Sequence, residues 1–218
     1  MPVFQLNQQM IFPHPDLAEP NGLIAVGGDL SVPRLVNAYR HGIFPWFGEG
    51  DPILWWFTSP RLVLIPDEFK PSKRLLRYYR NTDLTITMNR SFAEVIRLCA
   101  QTRIKTDEGT WITDAMVDAY IEMHRHGYAH SVECWQEDRV VGGLYGVALG
   151  KVFFGESMFS TISNSSKFAL IHLVGFLKSE GYQLIDCQMT TEHLVSLGAR
   201  EISGRYFQHL LKQYIWQP

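Results

Sequence analysis

The chain has 218 residues, with 20 Lys plus Arg against 22 Asp plus Glu and a formal net charge of −2. That balance excludes a surface that is basic throughout, so any contact with nucleic acid must come from a local patch. A hydrophobic content of 46% allows an ample core, in one large domain or in one domain with a small appendage. Cys99, Cys134 and Cys187 are scattered without a CxxC pair, which fits a reducing compartment and argues against a zinc ribbon. The N-terminal MPVFQLNQQMIFP lacks the basic and continuous apolar regions of a signal peptide. Lys151 interrupts the longest apolar run before it reaches the roughly 18 residues of a membrane span. A soluble cytoplasmic protein that does not engage a membrane is expected.

Residues 1–65 are rich in proline, glycine and tryptophan and contain one convincing helix, with Ser31 as N-cap, Pro33 in its first turn and Gly42 past its end. The remainder of this zone reads as loops and short strands around FPWF and ILWWF. From residue 66 to 218 the pattern becomes a regular alternation of helix and strand. Ser72 caps a helix over Lys73 to Arg80, and Leu84 to Met88 alternates as a strand. Ser91 and Glu94 have capping-box spacing for a helix ending near Thr102. Thr113 to His126 is a further helix, closed by Gly127. Three strands follow, Ala129 to Trp135, Val140 to Leu149 and Val152 to Met158, with turns short enough for antiparallel hairpins. A helix over Ser165 to Lys178, the strand YQLIDCQ, and helices over Glu192 to Leu197 and Arg205 to Tyr214 complete the chain. The expected fold is α+β with a mixed sheet, a small domain over 1–65 preceding a larger one over 66–218.

Several motifs carry chemistry. In LIDCQ, alternation predicts that Asp186 and Gln188 share one face of a strand while Ile185 and Cys187 share the other. Such a polar pair in an apolar strand is either held inside by partners or lines a cavity entered by something polar. Glu156, after Val152-Phe153-Phe154, poses the same choice. GGLYG, Gly142 to Gly146, reads as a β-bulge or a close approach of another backbone. The order of strands and helix around it resembles the core of the GNAT acyltransferase fold. The acyl-CoA pyrophosphate loop of that fold is imperfect at Arg139 to Leu144, because leucine fills the last position. Lys73, Arg74, Arg77 and Arg80 place four cations on one helix without an acid, either a solvated face or a set of phosphate contacts. Trp46 and Trp111 sit at loop junctions, where an indole either packs in the core or stacks on a base. His124 and His126 point to different faces of their helix, so no metal is expected, and no serine or cysteine sits in a nucleophile elbow.

Together EPNGL, GGDLS, GIFPWF, DPILWW, GTWIT, GGLYGVALG, FGESMFS and LIDCQ resemble the bacterial leucyl/phenylalanyl-tRNA–protein transferases over nearly the whole chain. The resemblance implies a small N-terminal domain followed by a GNAT-like catalytic domain that uses no coenzyme A or other cofactor. It implies transfer of leucine or phenylalanine, and less readily methionine, from aminoacyl-tRNA to proteins beginning with arginine or lysine, in the N-degron pathway. It also implies that Trp46 and Trp111 hold the 3′-terminal adenosine and that the helix of Lys73, Arg74, Arg77 and Arg80 meets the acceptor stem. Asp186 and Gln188 are implied as the catalytic pair, with Glu156 a further active-site acid.

On this reading Asp186 receives or relays the ammonium proton and Gln188 orients amine and ester. Glu156 attracts the cationic acceptor residue or holds the donor's amino group. Leu144, Phe153, Leu170 and Ile185 are expected to form the apolar pocket for the transferred side chain. Leu144 replaces a methionine common in the family, a nearly volume-neutral change expected to alter preference by about 1 kcal/mol or less. A monomer is expected. The alternatives are an acyl-CoA-dependent N-acyltransferase of GNAT type and a non-catalytic binder of basic N-termini.

Overall fold

A computed structural model describes residues 3–104 and 111–216. Its order begins β1 (Phe4–Leu6), β2 (Leu23–Gly27), α1 (Val32–Arg40), β3 (Phe44–Pro45), β4 (Leu54–Trp56), β5 (Arg61–Leu64), α2 (Lys73–Arg80), β6 (Thr85–Met88) and α3 (Phe92–Ile104). It continues with α4 (Asp114–Arg125), β7 (Ala129–Gln136), β8 (Arg139–Leu149), β9 (Val152–Ser160), α5 (Ser165–Ser179), β10 (Leu184–Asp186), α6 (Glu192–Val195), β11 (Arg200–Ile202) and α7 (Gly204–Ile215). Among the described residues the strands form a four-stranded sheet, β1-β2-β4-β3, and a seven-stranded one, β11-β5-β10-β9-β8-β7-β6. The larger sheet is antiparallel except where β10 runs parallel to β9, so the fold is α+β with mixed sheets. No helix among the described residues is long and apolar enough to cross a membrane.

The helices start where their caps predict. Ser72 Oγ accepts the Leu75 N–H at 3.1 Å, and Thr113 caps α4 through the Met116 N–H. The α3 cap departs from a reciprocal box: Ser91 Oγ donates to Glu94, while the Ser91 N–H goes to the buried Glu133 on β7. Two short strands, β5 and β11, are too brief to show alternation in the sequence, and the expected strand YQLIDCQ is shorter than its pattern suggests, β10 stopping at Asp186 instead of running on to Gln188.

Alternation along the central strands divides the core into two layers. Tyr145, Phe154 and Leu184 join the cluster built with α1, α3, α4 and α7. Their neighbours Leu144, Phe153 and Ile185 join the cluster under α5, with Leu62, Leu170 and Leu173. The sheet is therefore buried on both faces, which explains why its strands read as nearly continuous apolar runs.

Two glycines of GGLYG permit this packing. A Cβ at Gly142 would lie 2.1 Å from Ser165 Oγ, so the missing side chain is what seats the start of α5 on β8. At Gly146 it would lie 2.2 Å from the Phe154 carbonyl. Gly142→Ala is expected to destabilise the protein by about 1–3 kcal/mol through overpacking. Urea denaturation checks this, and an unchanged midpoint would show that α5 has room to move.

Candidate active site

Parallel pairing of β9 and β10 sets Asp186 opposite Phe154, and the segments that follow both strands leave the sheet at the same end. Asp186 shares the face of Leu184, and Glu156 that of Phe154, so the two acids lie on the same side of the sheet. Glu156 also occupies a bulge: pairing with β8 steps from Tyr145–Ser157 to Gly146–Gly155 and leaves it unopposed.

The Glu156 carboxylate meets two tyrosines from different helices. Tyr39 of α1 donates to its Oε1 at 2.7 Å and Tyr120 of α4 to its Oε2 at 3.4 Å, and the two hydroxyls also contact each other. Both tyrosines are fully buried. Although Glu156 keeps some solvent exposure, loss of hydration around its carboxyl raises its pKa to about 7. The Tyr39 bond opposes that rise, the Asp186 charge adds to it, and the Tyr120 bond and Arg61 oppose it. Burial, reinforced by the Glu156 charge, pushes both tyrosines well above the ordinary phenol range, so they remain donors. The result is a carboxyl able to take and return a proton near neutral pH.

Asp186 is fully buried and held differently. Arg61 of β5 grips it with two bonds, Nε to Oδ1 at 2.8 Å and Nη2 to Oδ2 at 2.6 Å. The guanidinium is itself buried, 4.9 Å from the Phe44 ring centroid and 4.6 Å from that of Phe207. Arg61 Nη1 also reaches Thr58 Oγ1, whose hydroxyl donates to the Gln188 carbonyl at 3.2 Å.

Gln188 does not continue the strand. Its φ of 53° is left-handed, which ends the two-residue alternation on which the shared face with Asp186 was expected. The two residues meet through a turn instead: the Gln188 N–H donates to Asp186 Oδ1 at 3.1 Å, and its carbonyl accepts from Leu62 N–H and Thr58. The backbone is thus pinned, while the side-chain Nε2 is buried with no hydrogen-bond partner among the described residues. A buried donor left unpaired costs about 1–3 kcal/mol and needs a reason.

The other expected site residues distribute as follows. Trp46 follows β3 and is 37% exposed, its ring edge-on to Trp56 at 5.6 Å. Trp111 precedes α4 and packs half-buried against the first apolar cluster, and the adjoining Gly109 and Thr110 of GTWIT lie outside the described residues. Lys73, Arg74, Arg77 and Arg80 are all exposed on α2, which Leu75 anchors to the core, and Arg74 and Arg77 both lie over the Tyr78 ring. Leu144, Phe153 and Ile185 lie buried beneath α5, which contributes Leu170 to the same cluster, on the opposite face of the sheet from the acid side chains. Phe153 also borders a small apolar cavity there of about 130 Å3. Arg61, Tyr39 and Tyr120 had not been singled out. The one available signal was an arginine opening the apolar run RLVLI, a position that demands a buried anion.

The family model of the leucyl/phenylalanyl-tRNA protein transferases matches residues 63–212, and the model of their N-terminal domain matches residues 28–59. The leucyl/phenylalanyl-tRNA–protein transferase of Desulfotalea psychrophila is 61% identical over 211 residues, which cover 96% of this chain and 93% of that one. That of Syntrophobacter fumaroxidans is 58% identical over 215 residues, covering 99% and 92%. A solved structure of a Bacteroides thetaiotaomicron protein of unknown function superposes with a TM-score of 0.47 at 14% identity, covering 72% of this chain and 57% of that one. With matches that run through both the small sheet and the segments bearing Glu156 and Asp186, the chain belongs to the leucyl/phenylalanyl-tRNA protein transferase family.

Proposed function

We propose that this protein transfers leucine or phenylalanine, and less readily methionine, from aminoacyl-tRNA to the α-amine of proteins that begin with arginine or lysine. It does so as a cytoplasmic monomer without a cofactor, marking its acceptors for degradation. The observation that carries the mechanism is geometric: Glu156 is held by Tyr39 and Tyr120, and Asp186 Oδ1 fixes the turn that leaves the buried Gln188 Nε2 without a partner among the described residues.

The donor ester is already activated, so the task is to position an amine and remove its proton. A free α-amine has a pKa of about 7.7–8.0. Glu156 is within about one unit of it, so transfer of the ammonium proton is nearly balanced. The neutral nitrogen then attacks the ester carbonyl, with Gln188 Nε2 donating to the carbonyl oxygen as negative charge develops there. The tetrahedral intermediate collapses by breaking the bond to the ribose oxygen, which takes the proton held by Glu156, while the second proton that the nitrogen sheds on becoming an amide passes to solvent. Asp186 has both oxygens engaged by Arg61 and one also by the Gln188 N–H, so its part is to hold Gln188 in place. This moves the proton from Asp186, where the reading built on the family resemblance puts it, to Glu156.

Trp46 and Trp111 stack on the 3′-terminal adenosine, and Lys73, Arg74, Arg77 and Arg80 meet the acceptor stem. Leu144, Phe153, Leu170 and Ile185, which share one apolar cluster on the α5 side of the sheet, receive the transferred side chain, and Phe153 borders an apolar cavity there. The seven-stranded sheet with α5 between its parallel strands is read as a GNAT-like catalytic domain over 66–218. The small domain over 1–65 lends it β5 and the Tyr39 hydroxyl.

The test is incubation with labelled Phe-tRNA and a peptide beginning with arginine, beside one beginning with alanine. Label on the arginine peptide alone supports the proposal, and no label on either rejects it. Trp46→Ala should weaken an adenosine-ended donor mimic by about 1–3 kcal/mol in a binding titration. Unchanged affinity removes Trp46 from the site.

A further inference from the structure

We propose that the cavity between α2, the start of α5 and α6 is a phosphate site that holds the backbone of the donor tRNA; this rests on the transferase reading above. The cavity measures about 290 Å3 and is lined by Arg74 and Tyr78 of α2, Lys167 of α5 and His193 of α6, with the N-caps Ser72 and Asn164. Among the described residues nothing acidic lines it. The nitrogen groups of Arg74, Lys167 and His193 thus converge on one polar space without a described carboxylate in its lining. Lys167 is partly buried there, and its charge bears on His193, which burial and that charge together keep towards the neutral form. Placing the Arg74 and Lys167 charges together in this cavity is unfavourable unless an anion occupies it, and phosphate oxygens suit both cations and accept from a neutral imidazole N–H.

The position fits the donor's path. β9 carries Glu156 and leads through Asn164 into α5, and β10 leads through Gln188 into α6. Two walls of the cavity are therefore the downstream continuations of the parallel strands that carry the reacting groups. Ligands of open sheets gather at that end of parallel strands. The third wall, Arg74, belongs to the exposed row of Lys73, Arg77 and Arg80 on α2. A single small phosphate compound needs no such row, whereas a polyanion running from α2 towards Gln188 uses all of it. Lys167 and His193 then extend the tRNA contact beyond α2.

The experiment compares the full-length protein with Lys167→Gln and His193→Gln in three arms. These are binding of Phe-tRNA against salt concentration, transfer from the short donor phenylalanyl-adenosine, and binding of inorganic phosphate followed by the NMR signal of His193. Lys167→Gln is expected to weaken tRNA about 3–10-fold and to lower the log–log salt slope by about 0.7–0.9. Transfer from the short donor should keep the wild-type kcat/KM. Unmoved tRNA affinity and slope in both variants overturn the site, and so does an equal loss with tRNA and the short donor. Loss of phosphate binding with tRNA unmoved overturns the tRNA as its source and assigns the cavity to a free phosphate compound. A wild type that transfers normally from Phe-tRNA while the variants match it defeats this inference alone. A wild type that uses no aminoacyl-tRNA defeats the transferase reading and this inference with it.

Discussion

Arg61→Ala is expected to destabilise the protein by about 3–5 kcal/mol, because it leaves the Asp186 carboxylate buried and unpaired. For a chain of this length that corresponds to a fall in melting temperature of roughly 6–20 °C. The aromatic rings around the guanidinium would also lose the group they pack against. The double variant Arg61→Leu with Asp186→Leu should recover much of that stability, since two apolar groups replace a desolvated pair. Transfer should not recover with it. Without Asp186 Oδ1 the Gln188 N–H has lost its acceptor, and the left-handed turn that presents the amide is no longer held. A folded double variant with normal kcat/KM would show that the pair serves stability alone. A single variant within about 1 kcal/mol of wild type would show that water reaches the carboxylate.

Glu156→Gln should act in opposite directions on rate and stability. Removing the group that takes the ammonium proton is expected to lower kcat/KM by about 100-fold to 10,000-fold at neutral pH. For stability, the folded pKa of about 7 lies above the ordinary 4.5. Between those values the folded state binds more protons than the unfolded one, so this group favours folding at low pH and the benefit is lost as pH rises through 7. Above pH 7 the ionised, poorly hydrated carboxylate costs about 2 kcal/mol, with allowance for its residual exposure. Glutamine cannot ionise, so the variant should unfold at a higher denaturant concentration than wild type at pH 8 and should lose this pH dependence. A variant that is both slower and less stable at pH 8 would make Glu156 a structural acid.

The sequence carried much of this in its local patterns. Ser72, Thr113 and the run from Ala129 to Ser160 declare their helices and hairpins, because caps, turns and alternation act within a few residues. Glu156 and Asp186 stood out for the same reason, as acids in apolar strands. The grip of Arg61 on Asp186 spans 125 positions in sequence, and that of Tyr39 on Glu156 spans 117; no short window records either. Gln188 misled because its left-handed turn breaks the alternation that was extrapolated to it. The expected pocket residues were legible only as apolar side chains near the motifs. Strand alternation puts Leu144, Phe153 and Ile185 on the α5 side of the sheet, in one cluster with Leu170 of that helix, and the acids on the other side, a division that appears only once the sheet is assembled.

The role of Glu156 in proton transfer is decided by single-turnover transfer from Phe-tRNA to a peptide beginning with arginine, measured across pH for wild type and Glu156→Gln. The wild-type rate should rise through an apparent pKa near 7, and the variant should be slow and lack this rise. No transfer by the wild type, or a variant with the wild-type rate and pH profile, would contradict that role.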